Sequence, residues 1–331
     1  MKEYHNLIKE VIEDGNFKRN RTDVATISKF GVDYTIDTDR FPLLTTKKMD
    51  GYRWDSMIHE LFWYLDGEHH IRNLQEHTSI WDEWADEDGN LDTAYGRFWR
   101  RYPVPFISHW QEGEEWANGH NGNDWVAHGD GGPTFDQIQY VIDNIKNNPN
   151  SRRHVVTAWH PANAAVSTLP PCHYTFVFNV QGGNKLNLHL TQRSGDVALG
   201  VPFNIACYAL LQRMIAQELG LEVGKFHHSI TDAHIYCGKG ERADWWEEHW
   251  DEVKNDEHGS LYRAKELSEQ NPHDDSENYD HIPGLIEQFN REPYELPTVN
   301  ISDKPFDELG YEDVELENYQ HHDGIKFSVA E

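Results

Sequence analysis

The stretch LPPCHYTFVFNVQGGNKLNLHLTQRSGDVALGVPFNIACY, residues 169–208, constrains the fold more than any other part of the chain. Two apolar runs flank Gly182-Gly183, a pair that accepts positive φ at both central positions of a tight turn, so the stretch predicts a β-hairpin. The run that follows, NIACYALLQRMIAQEL, is apolar nearly all round and predicts a buried helix over 203–219, ended by Gly220. Pairing Val180 with Lys185 across a two-residue turn sets Cys172 opposite Arg193. That register puts Phe176 and Phe178 on the other face from Leu186, Leu188 and Leu190. A bulge or a three-residue loop would restore one apolar face. In either register Cys172 ends within a residue or two of Arg193, whose guanidinium favours the thiolate and is expected to lower the cysteine pKa. Leu169-Pro170-Pro171 fixes the backbone ahead of it. The stretch therefore reads as a thiol nucleophile delivered beside an arginine, in a site for an anionic small molecule. Cys207, inside the apolar helix, reads as core packing.

The remaining thiol, Cys237, has no paired spacing with the other two, which argues against a disulfide framework and a zinc cluster. A hydrophobic content of 37% with 12 Trp suits a globular chain. No apolar run is long enough to span a bilayer. The N-terminus, with Tyr4, Leu7, Ile8, Val11 and Ile12 on one face and Gly15 at its end, is an amphipathic helix and not a signal peptide, so a cytoplasmic location is expected. The net charge of −28 would repel phosphate backbones and argues against a nucleic-acid partner. It reads as the solvated acidic shell of a protein from a high-salt cytoplasm, where screening lowers self-repulsion.

Several other residues are set in contexts that call for chemistry. KRNRT, residues 18–22, is a basic cluster in an acidic chain, either a solvated loop or an anion contact. Alternation in TISKFG and VDYTID around Gly31 suggests a second hairpin. Glu60 sits within a helical apolar run, residues 53–66. It must be paired, face a polar cavity, or carry a raised pKa suited to proton transfer. Trp81, Trp84, Tyr95 and Trp99 are core aromatics or a stacking wall for a planar heterocycle. Residues 103–133 read as a surface insertion, and its His109, His120 and His128 lack ligand spacing, so no metal is expected. Thr134 to Gln137 reads as a capping box opening a helix through Asn148. Arg152 and Arg153 are surface ion-pairing groups or a phosphate clamp. His234 and Tyr236 share one face of a strand, and residues 237–283 form a second insertion. The apolar end of the tail predicts docking.

IHELFWYLDG, TSIWDEWADEDGNL with YGRFWR, SRR, LPPCH, QRSGDVALGVPFNIACYALL and DAHIY, in that order and over most of the chain, resemble the thymidylate synthase family. The resemblance implies an α+β fold, one domain over 1–331 with the two insertions, in which a large mixed sheet is packed with helices and one sheet face forms a homodimer interface. It implies conversion of dUMP to dTMP with 5,10-methylenetetrahydrofolate as one-carbon donor and reductant, and no metal. Cys172 matches the nucleophile that adds to the uracil ring. Arg21, Arg193 and Ser194 match phosphate ligands, and Arg152 and Arg153 match the pair that reaches the partner subunit's phosphate. Asn204 matches the amide that reads the uracil edge, which favours dUMP over dCMP. His234 and Tyr236 match contacts to the deoxyribose. Glu60 matches the acid that organises water and proton transfer, and Tyr95 and His173 match polar residues around the reacting pyrimidine. Ile80, Trp81, Trp84, Leu199, Gly200 and Phe203 match the folate wall. Asp196 stands among the substrate contacts and matches the carboxylate that binds the pterin. Lys47 resembles the lysine near the folate glutamate tail.

Three departures from the family pattern stand out. KMDGYRWDSM is longer than in typical members, Cys237-Gly238 replaces the usual Asn-His, and the chain closes on Ala330-Glu331 where a small apolar residue is usual. The family's tail folds over the ligands and excludes water. A wetter site would divert the product to 5-hydroxymethyl-dUMP, which makes a dUMP hydroxymethylase, and less so a dCMP one, the alternative reading. The acidic shell carries its own test. Stability measured by denaturant unfolding should fall steeply as KCl is withdrawn, and equal stability with and without molar salt would refute the high-salt reading.

Overall fold

The computed structural model describes residues 1–104, 115–116, 120–121, 126–129 and 132–330, with backbone alone for the described residues between 115 and 129. The histidines of the first insertion lie outside the residues with described side chains. The chain begins with α1 (Lys2–Asp14), β1 (Asn16–Lys18) and β2 (Val24–Asp37), followed by α2 (Tyr52–Asp66), α3 (Tyr95–Arg100) and β3 (Tyr102–Pro103). Short strands β4 (Glu115–Trp116), β5 (His120–Asn121), β6 (Val126–Gly129) and β7 (Gly132–Phe135) lead to α4 (Gln137–Asn147), β8 (Val155–Thr157) and α5 (Pro161–Val166). Then come β9 (His173–Gln181), β10 (Lys185–Gln192), β11 (Gly195–Asp196), α6 (Gly200–Glu218) and β12 (Glu222–Lys239). The helices α7 (Glu241–Lys254), α8 (Ser260–Gln270) and α9 (Ile282–Phe289) and the strands β13 (Thr298–Ile301) and β14 (Val314–Glu317) complete it.

The main sheet is mixed, in the order β1-β2-β12-β10-β9-β8, with β11 paired to β12. β10 and β12 run parallel and are joined through α6, while the other neighbours on the path are antiparallel. The crossover demands a helix buried on nearly every side, and α6 supplies it, with Ile205 through Leu211 all in the core. One buried apolar cluster joins α1, α2, α6, α7 and the inner face of the sheet. Among the described residues no helix is long and apolar enough to cross a membrane.

The hairpin resolves its register conflict with both devices at once. A three-residue loop with Gly182 at φ 63° and Gly183 at φ 90° pairs Lys185 with Gln181 and Leu190 with Phe176. Phe176, Phe178, Leu186, Leu188 and Leu190 thereby share one buried face. A bulge between Thr191 and Gln192 then shifts the pairing by one residue, so that the Arg193 N–H donates to the Cys172 carbonyl at 2.9 Å.

Two local expectations are corrected. Residues 24–37 form one continuous strand and not a hairpin at Gly31, because the long β12 offers pairing partners on both sides of the glycine. Gly31 (φ 72°) absorbs a local distortion in the strand. The helix cap is Asp136, whose side chain accepts from Gln139 N–H, and not Thr134, which lies in β7. Gln137 is withdrawn from any capping box because its buried amide donates to the carbonyls of Phe98 (2.6 Å) and Thr157 (2.8 Å). The second insertion is joined to the core. It begins inside β12, and its Trp246, Trp250 and Leu267 are core residues.

Helix α3, which carries Tyr95, crosses α2 at backbone contact. A Cβ on Gly96 would sit 2.3 Å from the Tyr64 carbonyl oxygen and 2.6 Å from Tyr64 Cα. Gly96→Ala is expected to cost about 3 kcal/mol, read as a lowered urea midpoint at fixed salt. An unchanged midpoint would mean the two helices separate freely.

Candidate active site

The bulge at the end of β10 and the two prolines before β9 bring the chemistry together. Arg193 Nε donates to the Pro171 carbonyl (3.0 Å) and Nη2 to the Pro170 carbonyl (2.6 Å), both just ahead of the first residue of β9. The same Nη2 lies 3.4 Å from Cys172 Sγ. The expected lowering of the thiol pKa by the guanidinium is present but is outweighed. Burial pushes the Cys172 thiol up, and Arg193 is the largest of the opposing influences, followed by Tyr95.

Cys172 lines a cleft of about 370 Å³. Arg21, Arg193, Ser194 and Lys18 are among the residues that line it. The KRNRT cluster divides its work: Lys18 pairs with Asp232, Arg19 pairs with Asp244 (2.6 Å) and Glu247, and Arg21 makes no ion pair among the described residues. Asn204, on the first turns of α6, joins the lining, as do His234 and Tyr236 from β12. Asp196, Gly200, Trp84 and Ala330 line it as well. Asp196 Oδ1 accepts from the N–H groups of Ala198 (2.8 Å) and Leu199 (3.3 Å) at the start of α6.

Behind the thiol lies a layer of buried polar groups. The Cys172 N–H donates to the Tyr95 hydroxyl at 2.6 Å, and the Tyr95 ring stacks on His173 at 3.9 Å. His173 Nδ1 meets the Tyr208 hydroxyl at 2.7 Å, and burial lowers its pKa to about 3, so the imidazole is neutral. Trp81 Nε1 donates to Glu60 Oε1 at 2.6 Å. Burial nevertheless raises Glu60 to about 7, because one indole N–H offsets only part of the lost hydration.

Other expected residues lie outside the cleft lining. Ile80, Leu199 and Phe203 are partly buried beside it. Lys47 is 4% exposed, donates to the Ala198 carbonyl at 2.5 Å, and is lowered by burial to about 7. Arg152 and Arg153 are exposed and make no ion pair among the described residues.

The sequence reading missed a supporting set. Gln192 lines the cleft, its amide held by His228 Nε2 at 2.6 Å. Its signal was a polar side chain at a position in phase with Leu186, Leu188 and Leu190. Asp232 shares the strand face of His234 and Tyr236, which alternation alone could have revealed. Burial would push its carboxyl up, yet hydrogen bonds with His234, Lys18 and Ser28 hold it well below the usual range. Tyr208 and His281 carry no local signal. Among the described residues no group of three metal-capable side chains converges.

Comparison with known proteins identifies the family of the chain. The thymidylate synthase family model matches residues 2–331. The chain is similar to the thymidylate synthase of Haloferax volcanii, 54% identical over 334 residues, covering 98% of this chain and 95% of that protein.

Glu60 gives a pH test. Its folded pKa of about 7 exceeds its ordinary 4.5, so the folded state binds the extra proton between those values. This group's contribution to stability is fully present below pH 4.5 and is lost as pH rises through 7. Difference infrared spectroscopy should find a carboxyl band titrating near 7 that Glu60→Gln removes. Titration near 4.5 would contradict the burial account.

Proposed function

Because the chain belongs to the thymidylate synthase family, whose members are methyltransferases, we propose that it converts dUMP to dTMP through addition of the Cys172 thiol to the uracil ring, with 5,10-methylenetetrahydrofolate as co-substrate. The observation that carries this reading is a partly open thiol 3.4 Å from a guanidinium at the wall of a cleft that Lys18 and Arg21 also line. A volume of about 370 Å³ suits a small molecule held against a few convergent polar groups.

The nucleotide phosphate is taken by Arg21, Arg193 and Ser194, and the two guanidinium groups favour its charge. Asn204 offers a donor and an acceptor from one amide, which matches the O4 and N3–H edge of uracil. His234 and Tyr236 face the sugar. Arg193 favours the thiolate over the thiol as Cys172 adds to ring carbon 6, which leaves carbon 5 nucleophilic. The folate supplies the one-carbon unit and the hydride. Asp196, Trp84, Gly200 and Ala330 are a fitting carboxylate, stacking face and close backbone for its pterin, with Trp81, Ile80, Leu199 and Phe203 around them. Glu60, near neutrality, can hold or release a proton for the water network, and Tyr95 and His173 orient it. Lys47 is the residue with least support as a folate contact, since its amine is engaged by Ala198.

The family is generally dimeric. A homodimer through the outer sheet face suits Phe30, 84% exposed, and Val155, 40% exposed. Arg152 and Arg153, free of ion pairs among the described residues, would then reach the partner's phosphate. One domain over 1–331 fits the single buried cluster. Three free thiols fit a reducing, cytoplasmic setting, and the acidic shell fits high salt.

Incubated with dUMP and methylenetetrahydrofolate in molar KCl, the protein should release dTMP and dihydrofolate in equal amounts. 5-Hydroxymethyl-dUMP with tetrahydrofolate would overturn the methylation reading. Cys172→Ser should lower kcat by roughly 10⁴-fold while dUMP affinity stays within a few-fold. Retained turnover would remove the nucleophile assignment.

A further inference from the structure

We propose that the second insertion, with the start of α9 that follows it, is the seat of the C-terminal tail, with Asn278 and Gly284 as positioning residues that hold Ala330 against the cleft before any ligand binds. The proposal rests on the reading above for what the cleft receives.

The seat extends the main sheet by two steps. Residues 278–281 lie along the end of β12: Cys237 and Asp280 form an antiparallel bridge, Gly238 N–H donates to the Tyr279 carbonyl (3.1 Å), and His281 N–H to the Tyr236 carbonyl (2.9 Å). The tail then lies along this segment. Ser328 N–H donates to the Asn278 carbonyl at 3.0 Å, the Ser328 hydroxyl donates to the Glu277 carbonyl, and His281 Nε2 meets the Ser328 carbonyl at 3.0 Å.

The insertion's helices hold the segment in place. Asp280 is buried and accepts from Arg242 Nε and Trp246 Nε1, both at 2.8 Å and both from α7, while its other oxygen accepts from Ile282 N–H. Asn278 sits at φ 59°, a left-handed conformation that aims its carbonyl at the tail. Next to it, α9 is shaved to receive the tail's aromatic ring. A Cβ on Gly284 would lie 2.6 Å from Phe327 Cε1 and 2.9 Å from Ile325 Cγ2. Phe327 packs on the His281 ring at 4.9 Å and under Lys47 Nζ at 5.2 Å. The far side of His281 faces the cleft, with Nδ1 3.8 Å from Asp196 Oδ1. The seat therefore connects β12, the tail and Asp196 of the cleft lining.

Asn278→Val tests this, because a β-branched residue opposes the left-handed backbone, whereas Asn278→Gly tolerates it. Hydrogen exchange of the C-terminal peptide in the ligand-free protein should find the Ser328 amide protected in the parent and in Asn278→Gly, and open in Asn278→Val. KM for methylenetetrahydrofolate should rise roughly tenfold in Asn278→Val, the order expected for losing one or two backbone hydrogen bonds, with dUMP affinity within about twofold. Gly284→Ala places a better helix former in α9, so a loss of Ser328 protection there traces to the tail and not to the helix. Unprotected Ser328 in the parent, or equal protection and KM in all variants, would overturn the proposal. A protein with the expected exchange pattern but no turnover would uphold the seat and overturn only the chemistry assigned to the cleft.

Discussion

The guanidinium of Arg193 is the joint on which the site depends. Two proline carbonyls and the Cys172 sulfur share its donors, and the backbone of Arg193 is tied to the Cys172 carbonyl by the last rung of the hairpin. That rung exists because the bulge restores the pairing that the three-residue loop had shifted. The loop serves the core, by gathering the phenylalanines and leucines on one face, and the bulge serves the site. A strand pair with only one of the two devices would lose either its apolar face or its thiol–arginine contact.

Around that joint the protein buries groups that would rather be in water. Glu60 and Lys47 are both moved to about 7 by burial, one up and one down, and His173 is kept neutral. Aromatic side chains keep two of these groups from water: Trp81 lies on Glu60, and Tyr64 and Tyr95 pack on His173. The result is an interior in which a proton can be exchanged near neutrality. On the proposed chemistry that is the condition for moving protons to and from a pyrimidine.

The periphery is organised by a different constraint. With 29 Lys and Arg against 57 Asp and Glu, the chain uses some of its cations in ion pairs that tie elements together. Arg19 ties the basic loop to α7, Arg242 anchors the buried Asp280, and Lys18 holds Asp232 beside His234. The helical insertion is thereby attached both to the core, through Trp246 and Trp250, and to the segment on which the tail lies.

Much of the site was legible in residue order because it is local: Cys172, Arg193, Ser194, Asp196 and Asn204 fall within one forty-residue stretch, and alternation put His234 and Tyr236 on one face. The resemblance of motifs supplied most of the rest. Glu60 was legible as a carboxylate in an apolar run, since helical spacing alone makes such a residue anomalous. Other features belonged to tertiary structure. Whether Gly31 turns the chain or bends it depends on β12, almost two hundred residues away, and whether Gln137 caps its helix depends on Phe98 and Thr157. The thiol's pKa direction was misjudged from sequence because proximity to an arginine is local while desolvation is a property of the whole packed cleft. His281, Tyr208 and the tail's seat had no local signal, because each acts through a partner brought near only by folding. The sequence by itself determined which groups the chain brings to its chemistry; the tertiary structure decided which of them are dry, and dryness sets their charge.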